Sequence, residues 1–336
     1  MKKALVLGAA GFLGQHMEYR LKEEGYYVVS VARKPPLYRK SVADEFNILD
    51  LTNAACFQHH FYRHDFDECY QLAGEVGGLG FIGTGDHDAD ILTNSLKINL
   101  HTLEAIRNTQ ACGKILFASS QCVYPDRFEI DPFAAERFGG LTDAEASERH
   151  RETDASFNTF AFGKEKLYAE ALYEAYARNH GVQVRIGRLG NIYGPSSEWR
   201  EPRAKAPAAI CRKVATAPYS GGVDLWGDGQ QRRSFTWIGD AIEGIRRLMA
   251  SDFDKPLNIA SAEMVSIQQL FEKVLSVSGR RLKWQPSEGP IGVRARGSDN
   301  TLARKILGWE PSTPLIQGLD KLYPWVAEQV LTKAET

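Results

Sequence analysis

The chain has 336 residues, 43% of them hydrophobic and 25% charged, with a formal net charge of −1. This is the composition of a soluble globular protein, long enough for one large domain or a domain plus a lobe. Near-neutrality without a long like-charge run argues against binding nucleic acid or a membrane surface through bulk charge, and the five scattered cysteines form neither a disulfide framework nor a zinc-ligand spacing, so no metal and a reducing cytoplasm are expected.

Residues 1–14 are too short and glycine-broken for a transmembrane helix and carry no signal-peptide cleavage pattern. The run Lys3-Ala4-Leu5-Val6-Leu7 predicts a strand, Gly8-Ala9-Ala10-Gly11-Phe12-Leu13-Gly14 follows at once, and a helical pattern then runs to Gly25. Strand, glycine turn and helix form the setting of a dinucleotide site, where glycines admit a pyrophosphate and the helix N-terminus offers free N–H groups. Residues 27–31 predict a second strand. After it, Arg33 and Lys34 stand where an acidic residue would bind the ribose hydroxyls of NAD. Two cations there suit the 2′-phosphate of NADP, or are solvated loop charges.

Further strands are predicted over 46–51, ending beside Asp50, and over 66–74, opening into the glycine-rich Glu75-Val76-Gly77-Gly78-Leu79-Gly80, which lets backbone approach a ligand. His59, His60 and His64 read as surface residues of a polar helix. A long helical region over 88–112 leads to the apolar strand 115–118 and then to Ser119-Ser120-Gln121-Cys122-Val123-Tyr124-Pro125. Parallel sheets place chemistry beyond the carboxyl ends of their strands, so this segment is either a functional turn or a serine-rich turn with a buried cysteine. Residues 126–158 read as a flap over the strand ends. A helix over 160–180 and a strand over 182–186 continue the alternation, which calls for a parallel sheet with right-handed crossovers.

Beyond Pro195 the pattern becomes irregular, with helices predicted near 207–217, 239–250, 266–277 and 315–330 and strands near 223–226, 234–237 and 257–260. Arg203, Lys205, Arg212, Lys213, Arg232, Arg233, Arg294 and Arg296 fall in this part. Cations gathered in one lobe of a neutral chain suit an anionic, phosphate-bearing substrate, or are unrelated surface charges. The expected fold is α/β: a Rossmann-type doubly wound parallel sheet over 1–190 and a smaller, mainly C-terminal substrate-binding lobe over 191–336, with some chain returning to the first domain.

Gly8-x-x-Gly11-x-x-Gly14, the Ser119-Ser120 strand end, the Phe162-x-x-x-Lys166 helix and Asn191-Ile192-Tyr193-Gly194-Pro195 together resemble the extended short-chain dehydrogenase/reductase family. The more selective runs around Gly77–Ile82, Cys122, Lys205, Arg233 and Arg294 are similar to those of its GDP-mannose 3,5-epimerases, over nearly the whole chain. The resemblance implies a resident NAD, with NADP left open by Arg33, held by Gly8, Gly11, Phe12, Leu13, Gly14, Arg33, Asp50, Leu51, Ala73, Lys166 and Leu189. It implies a GDP-sugar held by Gly77, Ser120, Cys122, Asn191, Lys205, Lys213, Gln231, Arg233 and Arg296, with Arg233 and Arg296 at the diphosphate. It implies a homodimer, and it makes Cys122 and Lys205 an acid–base pair inverting carbon 3, carbon 5 or both, with Ser120 on the carbon-4 oxygen. A related dehydratase, a 4-epimerase or reductase, and a nucleotide-sugar binding protein are the alternatives.

Three residues depart from the family pattern. Phe162 stands in the place of a catalytic tyrosine, so another group takes that proton, or oxidation at carbon 4 is lost, or the tyrosine was replaced to trap substrate. Ala204 stands where the family has a glutamate beside the lysine, and Arg33 replaces an acidic residue at the adenosine ribose.

Overall fold

A computed structural model describes residues 1–56, 65–124, 160–219 and 221–334. The expected flap, Pro125 and the histidines 59, 60 and 64 lie outside the described residues. In chain order the first strands are β1 (Lys3–Leu7), β2 (Tyr27–Ala32), β3 (Glu45–Ile48), β4 (Phe66–Gln71), β5 (Cys112–Ser120) and β6 (Val184–Leu189). There follow β7 (Asn191–Tyr193), β8 (Gly222–Trp226), β9 (Arg232–Trp237), β10 (Leu257–Ile259), β11 (Met264–Ser266), β12 (Lys283–Ser287) and β13 (Ala295–Arg296). The helices are α1 (Phe12–Glu23), α2 (Leu79–Ile82), α3 (Asp88–Thr109), α4 (Ala161–His180), α5 (Ala206–Thr216), α6 (Ile238–Ala250), α7 (Ile267–Ser278), α8 (Thr301–Leu307) and α9 (Leu315–Ala334).

Seven strands form one parallel sheet in the order β10-β6-β5-β4-β1-β2-β3. Its central strands bury residues on both faces because helices cover both. Met17 and Leu21 of α1 join Ile242 and Ile245 of α6 on one side, and Leu103 and Ile106 of α3 join Ala169 and Tyr173 of α4 on the other. This is the doubly wound arrangement. The strand order reverses direction between β1 and β4, and such a switch point leaves a crevice beyond the carboxyl ends of the strands.

The second lobe has its own core, in which Val214 of α5, Val274 of α7 and Leu319 of α9 meet Phe235 of β9. In it β9 pairs with β7, β11 and β13, and β8 pairs with β12. The chain then returns to the first lobe, since β10 pairs with β6 along Leu257–Ile259.

Strand β6 extends beyond the predicted 182–186, and the reason is polar. Arg185 and Arg188 interrupt the apolar pattern but are both 2% exposed. The Arg188 guanidinium grips Glu170 of α4 with two nitrogens, at 3.0 and 2.7 Å, while Ser119 Oγ donates to the same carboxylate. A buried ion pair stabilises little in net terms, but breaking one side leaves an uncompensated charge. Arg188→Met is therefore expected to lower the unfolding free energy by about 3–5 kcal/mol in a denaturant titration. Arg188→Met combined with Glu170→Leu should recover much of that loss.

Candidate active site

The glycine turn between β1 and α1 is shaped by close packing. Gly8 has φ +82°, and a side chain there would stand 2.7 Å from the Ala73 nitrogen. One on Gly14 would stand 2.6 Å from Ala9 Cα. Gly11 begins α1 without a side-chain cap, and the first turn carries no acidic residue. The free N–H groups and the positive end of the helix dipole are thus left for an anion.

A cavity opens above this turn, and every residue expected at the dinucleotide, from Gly8 through Asp50 and Lys166 to Leu189, lines it. It encloses about 550 Å³, within the roughly 300–1,000 Å³ of a small-molecule pocket. The glycine cradle and the lining that runs from Gly8 past Asp50 to Lys166 fit a dinucleotide. Asp50 lies two residues past the end of β3, and its carboxylate accepts hydrogen bonds from the Thr52 amide and hydroxyl at 2.9 and 2.8 Å. Those bonds, with Arg33 nearby, hold its pKa below the ordinary carboxylate value.

A second cavity lies under the C-terminal lobe, lined by Lys213, Gln231 and Arg233 together with Trp226. Gly77, Cys122, Asn191, Lys205 and Arg296 line both cavities, so the two meet at these residues. Ser120 lines the dinucleotide side alone. Its hydroxyl oxygen accepts the Cys122 amide at 3.1 Å, capping the single 3-10 turn Gln121–Val123 and fixing the cysteine at the junction. Arg296 donates to the Cys122 sulfur at 2.8 Å. Arg233 donates to the Val293 and Arg232 carbonyls at 2.5 and 2.7 Å, which turns its side chain along the cavity wall.

Lys205 precedes α5 and is delivered by a close backbone approach. Gly78 donates to the Arg203 carbonyl at 2.9 Å, and a side chain on Gly78 would overlap the Ala204 carbonyl. The glycine run expected to approach a ligand thus also admits the chain's own 203–205 segment. Burial pulls the Lys205 amine below its ordinary pKa, and the nearby Cys122 partly offsets this. An amine displaced in that direction gives up its proton more readily near neutral pH.

Phe162 sits in the first turn of α4, buried with Phe81 and Ile91 and packed against Cys122. The Lys166 ammonium lies 5.6 Å from the centre of its ring and 3.4 Å from Oε2 of the buried Glu165. Burial raises the Glu165 pKa, and Lys166 opposes the rise.

One feature was not legible in the sequence. Glu75 accepts from Arg33 Nη2 through one carboxylate oxygen and from Arg203 Nη2 through the other, both at 2.9 Å. Arg203 also donates to the Val76 carbonyl at 2.8 Å and stacks on Phe81 at 3.7 Å. The glycines after Glu75 marked the segment, but nothing local marks a partner 128 residues away. Among the described residues no group of three metal-ligating side chains occurs, and no helix is long and apolar enough to cross a membrane.

Residues 4–260 match the family described as "NAD dependent epimerase/dehydratase family". GDP-mannose 3,5-epimerase 1 of Oryza sativa subsp. indica is 37% identical over 328 residues, covering 97% of this chain and 82% of that protein. GDP-mannose 3,5-epimerase of Arabidopsis thaliana is 37% identical over 331 residues, covering 98% and 83%. Among solved structures, UDP-glucose 4-epimerase of Thermus thermophilus in complex with NAD superposes with a TM-score of 0.78 at 19% identity, covering 96% of this chain and 98% of that one.

Proposed function

The chain belongs to the NAD dependent epimerase/dehydratase family, and from that premise we propose that it is a nucleotide-sugar epimerase inverting carbon 3, carbon 5 or both of GDP-mannose or a close relative. The observation that carries this reading is the meeting of two cavities at Cys122 and Lys205, a thiol and an amine at the boundary between a glycine-cradled groove and a cation-lined one.

In this reading Gly8, Gly11 and Gly14 would admit the pyrophosphate of NAD, Asp50 and Leu51 would hold its adenosine, and Lys166 would hold the nicotinamide ribose. When bound, NAD supplies reversible hydride removal at carbon 4 of the sugar, which acidifies the hydrogens on carbons 3 and 5. The remaining work belongs to the side chains. Inversion needs a base on one face of the ring and an acid on the other, each within hydrogen-bond reach. Cys122 and Lys205 are that pair, with Arg296 steadying the sulfur. Ser120, its oxygen already engaged by the Cys122 amide, keeps its hydroxyl proton to donate to the carbon-4 oxygen. Arg233 and Arg296, joined by Lys213 on the same cavity wall, bring positive charge to the diphosphate.

Incubation with GDP-mannose in D2O is expected to place deuterium at carbon 3 or carbon 5, followed by NMR. A second reading, favoured by Phe162 alone, is a protein that binds the nucleotide sugar without turning it over. Tight GDP-mannose binding with no deuterium uptake would select it.

A further inference from the structure

We infer that Glu75 sets which dinucleotide the groove accepts, by occupying Arg33 so that this arginine does not receive a 2′-phosphate. Arg33 directly follows β2, the position from which dinucleotide folds read the adenosine ribose. A free guanidinium there, with Lys34 beside it, matches a phosphate ester in charge and in fork geometry. The guanidinium is engaged instead. Its Nη2 lies 2.9 Å from Glu75 Oε1, and Asp50, lining the same groove, is close enough to feel its charge.

The counterion is built into the fold. The Glu75 side chain is 8% exposed against 58% for Arg33, and the Glu75 amide is anchored to Ser95 Oγ at 3.1 Å. Its other oxygen holds Arg203 at 2.9 Å. Burial raises the carboxyl's pKa, but Arg203 and Arg33 outweigh burial and keep it ionised. A 2′-phosphate, carrying about −1.5 to −2 charges, would have to draw Arg33 away and leave a buried carboxylate with one partner fewer. A 2′-hydroxyl makes no such demand. The arginine that in the sequence suits NADP is thus neutralised by a carboxylate 42 residues further on.

The inference rests on the dinucleotide reading above, and binding measurements separate the two. The full chain, freed of bound dinucleotide, is titrated calorimetrically with NAD and with NADP. Unaltered protein should prefer NAD. Glu75→Gln, which keeps the shape but removes the charge, should raise the affinity for NADP relative to NAD by about tenfold. Adding Arg33→Ala to Glu75→Gln should erase that gain. Arg203→Ala, which spares the Arg33–Glu75 pair, should leave the ratio within about twofold. Lys34 is present in every variant, so its contribution cancels in the comparison. An unchanged ratio in Glu75→Gln with both dinucleotides still bound overturns this inference alone, as does a gain that survives removal of Arg33. A chain that binds neither dinucleotide overturns the reading of the cavity and the inference with it.

Discussion

Replacing Cys122 by alanine is expected to slow deuterium uptake at the inverted carbon by about 10²–10⁴-fold, the usual contribution of one positioned acid or base. The thiol is held by its own amide at Ser120 and by Arg296 at its sulfur, so its loss should remove one proton carrier and leave the surrounding walls in place. Lys205→Met should cost a similar factor. It keeps the length of the stem that α5 presents and removes only the ammonium. Removing both groups should cost far less than the product of the two factors, because residues that act as one unit are not additive. Dinucleotide affinity is expected to stay near that of the unaltered protein, measured by calorimetry. Exchange persisting in both single variants would assign the proton transfers to other groups.

Phe162→Tyr is expected to raise turnover of GDP-mannose by about 10²-fold or more, since a phenol at this position supplies a missing general base. The new hydroxyl would extend from a ring whose centre is 5.6 Å from the Lys166 ammonium. A nearby cation favours the phenolate, so its pKa should fall below the ordinary value near 10. Turnover in the variant should therefore climb with pH up to that lowered pKa and level off above it. In the unaltered chain this rise should be missing. A variant no faster than the parent would mean that another group already removes the carbon-4 proton. Ser120, which lines the same cavity, would then be the next residue to replace.

The sequence made the N-terminal half legible because its signals are local. Lys3–Leu7, the glycine turn and the amphipathic spacing of Met17 and Leu21 lie within about two dozen residues of one another. The second lobe has no such economy. β12 mixes Lys283 and Pro286 into a strand defined only by pairing with β8, some sixty residues earlier, and α8 buries a single residue, Ala303. The last residues of β6 are hidden in the sequence because Arg188 looks exposed until Glu170 is seen beside it. The candidate site is legible only through the family resemblance, since chain spacing does not bring Cys122 to Lys205. The Glu75 clamp escaped both routes, being a pairing across the fold made by residues of the most ordinary surface type.

The return of the chain through β10 bears on how the protein can be cut. Residues 1–190 look like a free-standing unit on paper, yet the sheet they form is finished by Leu257–Ile259. Severed before that point, β6 would present a bare rim of backbone amides and carbonyls, flanked by apolar side chains normally covered by Ile242 and Ile245. Such a rim recruits other strands, so the fragment's natural fate is self-association. Nascent protein faces the same hazard until Leu257–Ile259 has emerged, about three-quarters of the way along the chain, which makes completion of the sheet a late event in synthesis.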